Sequence, residues 1–113
     1  MQARTVRRLA LELPEAEERE TWGTPTFRVR NKIFAMFAEG GKEIWLKSTH
    51  DEQRALVAMA PDTYFVPPYV GPSGWIGVRF ARADRAEFSE LMTEAWRLTA
   101  PKRLVQAFDE GGA

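Results

Sequence analysis

The run Thr21-Trp22-Gly23-Thr24-Pro25-Thr26-Phe27-Arg28-Val29-Arg30-Asn31-Lys32-Ile33-Phe34-Ala35-Met36-Phe37-Ala38 reads as two adjoining strands with a tight turn between them. Phe27 and Val29 alternate with Arg28 and Arg30, the period of a half-buried strand. Asn31-Lys32 is a short polar break in which Asn31 takes a positive φ at little cost. Ile33 to Ala38 is a continuous apolar run, expected of a central strand covered on both faces. Trp22, Phe27, Phe34 and Phe37 are the expected aromatic contributors to the packed centre. Gly23 and Pro25 are expected to shape a turn.

Working outward, residues 3–13 read as an amphipathic helix. Val6, Leu9, Ala10 and Leu13 fall on one stripe, and Arg4, Arg7, Arg8 and Glu12 fall outside it. Pro14 closes that helix. Glu15 to Glu20 reads as an acidic connecting loop. Strands are expected at about 19–22, 26–30, 33–38 and 43–47, with Gly40-Gly41 turning between the last two. Thr49 and Glu52 have capping-box spacing and open a second helix that Pro61 ends, with Glu52 reaching back to the cap amide. Tyr64 to Val66 is a short strand. Tyr69 to Gly74 is too rich in Pro and Gly to be regular. A strand from about Trp75 to Phe80 follows. Asp84 with Glu87 then caps a long helix whose stripe is Phe88, Leu91, Met92, Ala95 and Leu98 or Thr99. Lys102 to Phe108 is a short helical turn.

This order predicts an α+β fold in a single domain over residues 1–113, with a core of about 3–108 and a loose tail at 109–113. The sheet is antiparallel and five- to six-stranded, with three helices on one face in the order α-β(3-4)-α-β(2)-α. With 113 residues the chain can bury roughly 65% of its unfolded surface, enough for one core without staples. Sixteen basic and sixteen acidic residues cancel. A strongly electrostatic nucleic-acid binder would have a pI above about 9. No cysteine is present, so disulfides and thiolate metal sites are excluded. No apolar run approaches the roughly 20 residues that span a bilayer, and residues 1–13 lack a signal-peptide core. The expectation is a cytoplasmic protein with no membrane partner.

Catalytic chemistry finds no support. The single histidine, His50, stands at the start of a helix, and Ser48, Ser73 and Ser89 lie in no nucleophile motif. One histidine with scattered carboxylates is a poor metal set, and no Gly-rich phosphate loop precedes a helix. The expectation is no enzyme, no cofactor and no metal. The informative feature is a sheet face. If the helices cover Phe27, Val29, Ile44, Leu46, Ile76 and Val78, the other face carries Arg28, Arg30, Trp45, Lys47, Trp75 and Arg79, with Phe34 and Met36 between them. Interleaved cations and rings suit unpaired bases, which stack on the rings while the cations follow phosphates. Lys32 lies beside these at a hairpin tip. The ordinary alternative is an aromatic face covered by a loop, by the C-terminal segment or by a second subunit, with arginines snorkelling over it.

The order Trp22-Gly23-x-Pro25-x-Phe27-Arg28-Val29, a polar turn, then Lys32-Ile33-Phe34-Ala35 resembles the core signature of the MmcQ/YjbR family of small bacterial proteins. Leu11 to Glu15, Trp75 to Val78 and Ala100 to Leu104 are similar to further family segments, so the resemblance covers roughly Thr5 to Leu104. It implies an α-β-β-β-α-β-β-α fold, similar to that of secretion chaperones, and DNA binding by a double wing of hairpins. Many family members carry a lysine-rich loop, ending in His-Trp, before the late tryptophan strand. Here that loop, Val70 to Gly74, has no cation, so one wing lacks its phosphate contacts. The resulting expectation is a nucleic-acid-binding or regulatory protein. Binding to DNA would be weak and largely non-specific, through Arg28, Arg30, Lys32, Trp45, Lys47, Trp75 and Arg79. The alternative is a protein-interaction or small-ligand module using the aromatic face.

Overall fold

A computed structural model describes residues 1–111. The element order is α1 (Ala3–Leu11), β1 (Ala16–Thr21), β2 (Thr24–Val29), β3 (Lys32–Phe37), β4 (Glu43–Leu46), α2 (His50–Met59), β5 (Tyr64–Phe65), β6 (Ile76–Arg79), α3 (Arg85–Arg97) and α4 (Lys102–Asp109). The strands form one antiparallel sheet in the order β1-β2-β3-β4-β6-β5. The fold class is as the sequence predicts, with a fourth helix in place of the expected turn at Lys102 to Phe108. Asp109 closes α4 and binds Arg97, so the expected loose tail does not begin there. Residues 112 and 113 of that tail lie outside the described residues.

Local chemistry sets the turns and caps. Trp22 and Gly23 have φ of 54° and 78°, and Arg30 and Asn31 have 49° and 67°. Two successive positive φ values make each a two-residue hairpin loop of the mirror-image type, whose twist matches the strands it joins. Thr49 and Asp84 each accept the amide N–H of the residue three further on, Glu52 and Glu87. Each capping box forms in one direction only. Instead of reaching back to its cap, Glu87 accepts a hydrogen bond from the Tyr64 hydroxyl.

The core lies between one sheet face and the helices. Phe27, Val29, Ile44, Leu46, Ile76 and Val78 are all buried against Val6, Ala10, Phe88, Met92 and Trp96. Trp96, absent from the expected α3 stripe, is fully enclosed, and its indole N–H donates to the Pro14 carbonyl at 3.0 Å. That bond ties α3 to the end of α1.

Three expectations are corrected. The strand expected at about 19–22 begins earlier, so most of the acidic segment is not a connecting loop but β1, an edge strand paired with β2 from Ala16 opposite Val29 to Thr21 opposite Thr24. Charged side chains protect such an edge from pairing with other chains, so a carboxylate run is compatible with strand here. Phe34 does not face away from the helices. The register jumps from Phe27 opposite Ala35 to Arg28 opposite Ile33. Phe34 is the extra residue of a bulge, which aims it and Ala35 together into the core, where both are fully buried. Trp22 is not in the core: at the hairpin tip it is 82% exposed.

Candidate functional site

Directly opposed residues in an antiparallel sheet share a face. One row therefore crosses all six strands on the face away from the core: Arg19, Thr26, Met36, Trp45, Gly77 and Phe65. Arg28 and Ile33 lie on one side of this row, and Glu43 and Arg79 on the other. Trp75, just before β6, has the same parity as Gly77. Met36, Trp45, Phe65, Trp75 and Ile33 are all half-buried, so the face presents a partly exposed apolar band between charged ends.

The Arg79 end is self-satisfied. The Phe65 ring lies directly on Gly77: a Cβ there would stand 2.4 Å from the ring atoms. The Arg79 guanidinium stacks over Phe65 with 4.6 Å to the ring centroid, an attractive cation–π arrangement. Arg79 also donates to the Pro61 carbonyl at 3.3 Å and lies 3.8 Å from the Glu43 carboxylate. Beside it, the Trp45 indole N–H is enclosed with no acceptor among the described residues.

The opposite end is different. Arg28 donates to the Thr21 hydroxyl at 2.9 Å and to the Asn31 carbonyl at 3.3 Å. Arg19 donates to the Asn31 side-chain oxygen at 2.7 Å, the same atom that Arg28 approaches at 3.5 Å. Two guanidinium groups thus converge on one neutral amide, and neither has an ion pair among the described residues. Glu17 stands opposite Arg28 in the register without bonding it. The sequence reading missed Arg19, because it counted that residue only as the lone base of an acidic segment and did not place it on the open face. Its alternation with Glu18 and Glu20 was the available signal.

The remaining expected site residues divide. Arg30 sits at the β2–β3 tip and makes a two-pronged pair with Glu15, at 2.5 and 3.1 Å. The hydrogen bond from Arg30 holds the Glu15 carboxyl below its ordinary pKa, and Glu15 in turn raises that of Arg30. Arg30 is therefore locally neutralised. Lys32 is exposed at the same tip. Lys47 follows the last residue of β4, its amide N–H donating to the Phe34 carbonyl at 3.0 Å, and it also lines a groove on the helical side with Glu52, Ile76 and Leu91. Arg28, Trp45, Trp75 and Arg79 remain on the open face.

Among the described residues no group of three or more His, Cys, Asp or Glu could hold a metal ion. No helix there is long and apolar enough to cross a membrane.

Comparison with known proteins fits this architecture. A crystal structure of the Deinococcus radiodurans protein DR2400, with a DUF419 domain, superposes with a TM-score of 0.77 at 17% identity, over 86% of this chain and 77% of that one. That likeness concerns the fold. Uncharacterized proteins of Mycobacterium bovis and Mycobacterium tuberculosis are 44% identical over 54 residues, 48% of this chain. The matched stretch spans 42% of those relatives. The model of the YjbR family matches residues 11–98, which include all six strands, α2 and α3. By that match the chain belongs to the YjbR family.

Proposed function

We propose that this chain is a non-catalytic binding protein that holds single-stranded nucleic acid, weakly and with little sequence preference, on the open face of its sheet. The observation that carries this reading is the convergence of Arg19 and Arg28 on Asn31, beside the half-exposed band of Met36, Trp45 and Trp75. Two cations free of carboxylate bonds can follow phosphates, and stacking on a ring contributes about 1–3 kcal/mol per base. Duplex is the poorer ligand. Formal charge is zero, Arg30 and Arg79 are matched by Glu15 and Glu43, and the Val70 to Gly74 loop carries no cation. Duplex affinity depends on phosphates neutralised, so it stays in the non-specific range of about 10⁻⁴–10⁻⁶ M.

Fluorescence anisotropy with labelled single and double strands, across a salt series, tests this. Tighter binding of the single strand with a negative salt slope is expected, and Arg19→Ala with Arg28→Ala should flatten that slope. Nanomolar, sequence-selective duplex binding would overturn it. A second reading, a protein segment on the same face, is favoured by the neutralised Arg79 end, which leaves Phe65 and Trp45 as an apolar patch. Absence of binding to either nucleic acid at low salt would favour that reading.

A further inference from the structure

The groove that takes Lys47 lies on the other side of the sheet from the open face. It measures about 280 Å3 and is lined by residues from the end of β4, the start of α2, the start of β6 and α3. Its floor is the buried Ile76, and its far wall is Leu91 and Leu98, one stripe of α3. Leu98 is 42% exposed at the mouth. Three charged residues line it: Lys47, Glu52 and Glu94. Glu94 is bonded to Arg97 at 3.1 Å. The other two are uncommitted: among the described residues the Lys47 ammonium and the Glu52 carboxylate take no ion pair, with each other or with any group. Glu52 would ordinarily close its capping box by bonding the Thr49 amide. Only the Thr49 hydroxyl half of that box is present, and Glu52 is among the residues that line the groove.

We infer that this groove is a binding site for a small zwitterion with an apolar body, the chemistry of a free aliphatic amino acid. Lys47 receives the carboxylate, Glu52 receives the ammonium, and the aliphatic side chain lies on Ile76, Leu91 and Leu98. Size argues for this class. Pockets for drug-sized ligands begin at about 300 Å3, and a groove of about 280 Å3 at the lower end of that range suits a ligand as small as an amino acid. Charge argues the same way. A simple anion would meet Glu52 and Glu94, and a simple cation would meet Lys47. Only a ligand bearing both signs satisfies the two free head groups, each through a charge-assisted hydrogen bond.

The site is independent of the open sheet face, and its test uses different probes. The whole chain is titrated with L-leucine, N-acetyl-L-leucine and L-leucinamide to millimolar concentrations, followed by amide chemical shifts. L-leucine is expected to shift Lys47, Glu52 and Leu91, and each blocked analogue to bind roughly tenfold more weakly or worse. Lys47→Met should remove the preference for leucine over leucinamide and keep that over N-acetyl-leucine. Glu52→Gln should do the reverse. Neither head group has a partner to lose, so both variants should keep the wild-type far-UV circular dichroism spectrum. The proposal is overturned if leucine shifts no groove residue, if the blocked analogues bind as well as leucine, or if the two variants leave the preferences unchanged.

Discussion

Gly77→Ala tests how the open face is built. Gly77 has no positive φ, so alanine meets no backbone strain there. Its cost comes from the Phe65 ring, whose atoms would lie 2.4, 2.4 and 2.7 Å from the new methyl. Carbon atoms rest at about 3.5–4.0 Å, so the ring must retreat by more than about 1 Å. That retreat takes the ring out from beneath the Arg79 guanidinium. Overpacking of this kind costs about 1–3 kcal/mol. The two-residue strand carrying Phe65 can give way, which places the value near the middle, about 2 kcal/mol. With a urea m of about 2 kcal/mol/M the midpoint should fall by about 1 M. In a Phe65→Ala background the obstruction is gone, and the same substitution should be neutral or stabilise by about 0.5–1 kcal/mol, because alanine restricts the unfolded chain. Urea unfolding of the wild type, the two single variants and the double variant gives the coupling, expected at roughly 2 kcal/mol or more. A Gly77→Ala loss of the same size in both backgrounds would refute the reasoning, because Phe65 would then not be what occupies the space.

Other substitutions probe the core, the first hairpin and the one buried phenol. Phe37→Ala should cost about 3–5 kcal/mol by urea unfolding, since Phe37 is 4% exposed and packs edge-on against Phe27 and Phe80 at 5.8 and 6.0 Å; an unchanged midpoint would refute its place in the core. Trp22→Asn should raise the melting temperature, because an asparagine accepts the left-handed conformation that costs an ordinary residue about 1–2 kcal/mol, whereas Gly23→Ala should lower it by meeting the same strain at φ of 78°. Opposite signs at adjacent positions are the expectation, and a matching sign would contradict the turn assignment. Tyr64 is 1% exposed, and burial and then the Glu87 bond push its pKa well above the ordinary value of about 10. The unfolded chain ionises first as pH rises, so the contribution is complete below pH 10 and is lost above it. Tyr64→Phe should remove that part of the alkaline slope and cost about 1.5–3 kcal/mol at neutral pH; an alkaline slope equal to that of the wild type would show that Tyr64 is not the group responsible.

Much of the architecture is written in short-range pattern. The alternation of Phe27 with Arg28 and of Ile44 with Trp45 assigns each to its face, because successive strand residues point oppositely. Glycine at 23 and asparagine at 31 mark two hairpin turns, and Thr49 and Asp84 mark two helix starts, because each satisfies a geometric or hydrogen-bonding demand within a few residues. These signals sufficed for the fold class and for placing Arg28, Trp45, Trp75 and Arg79 on the open face. What they could not supply depends on partners distant along the chain. The bulge that turns Phe34 inward exists only in the pairing of β2 with β3, and β1 is a strand only because β2 lies beside it. Arg19 joins Arg28 at Asn31 through that pairing, and Lys47 borders a groove together with residues of α2 and α3 that are distant along the chain. Whether a cation is free is also a tertiary matter. Glu15 neutralises Arg30 and Glu43 accompanies Arg79 through space, while Lys47 and Glu52 remain unpaired in a groove that only the packing of α2 and α3 creates. Sequence fixes which charges a chain carries; Coulomb attraction falls with distance in space, and the folded structure sets those distances.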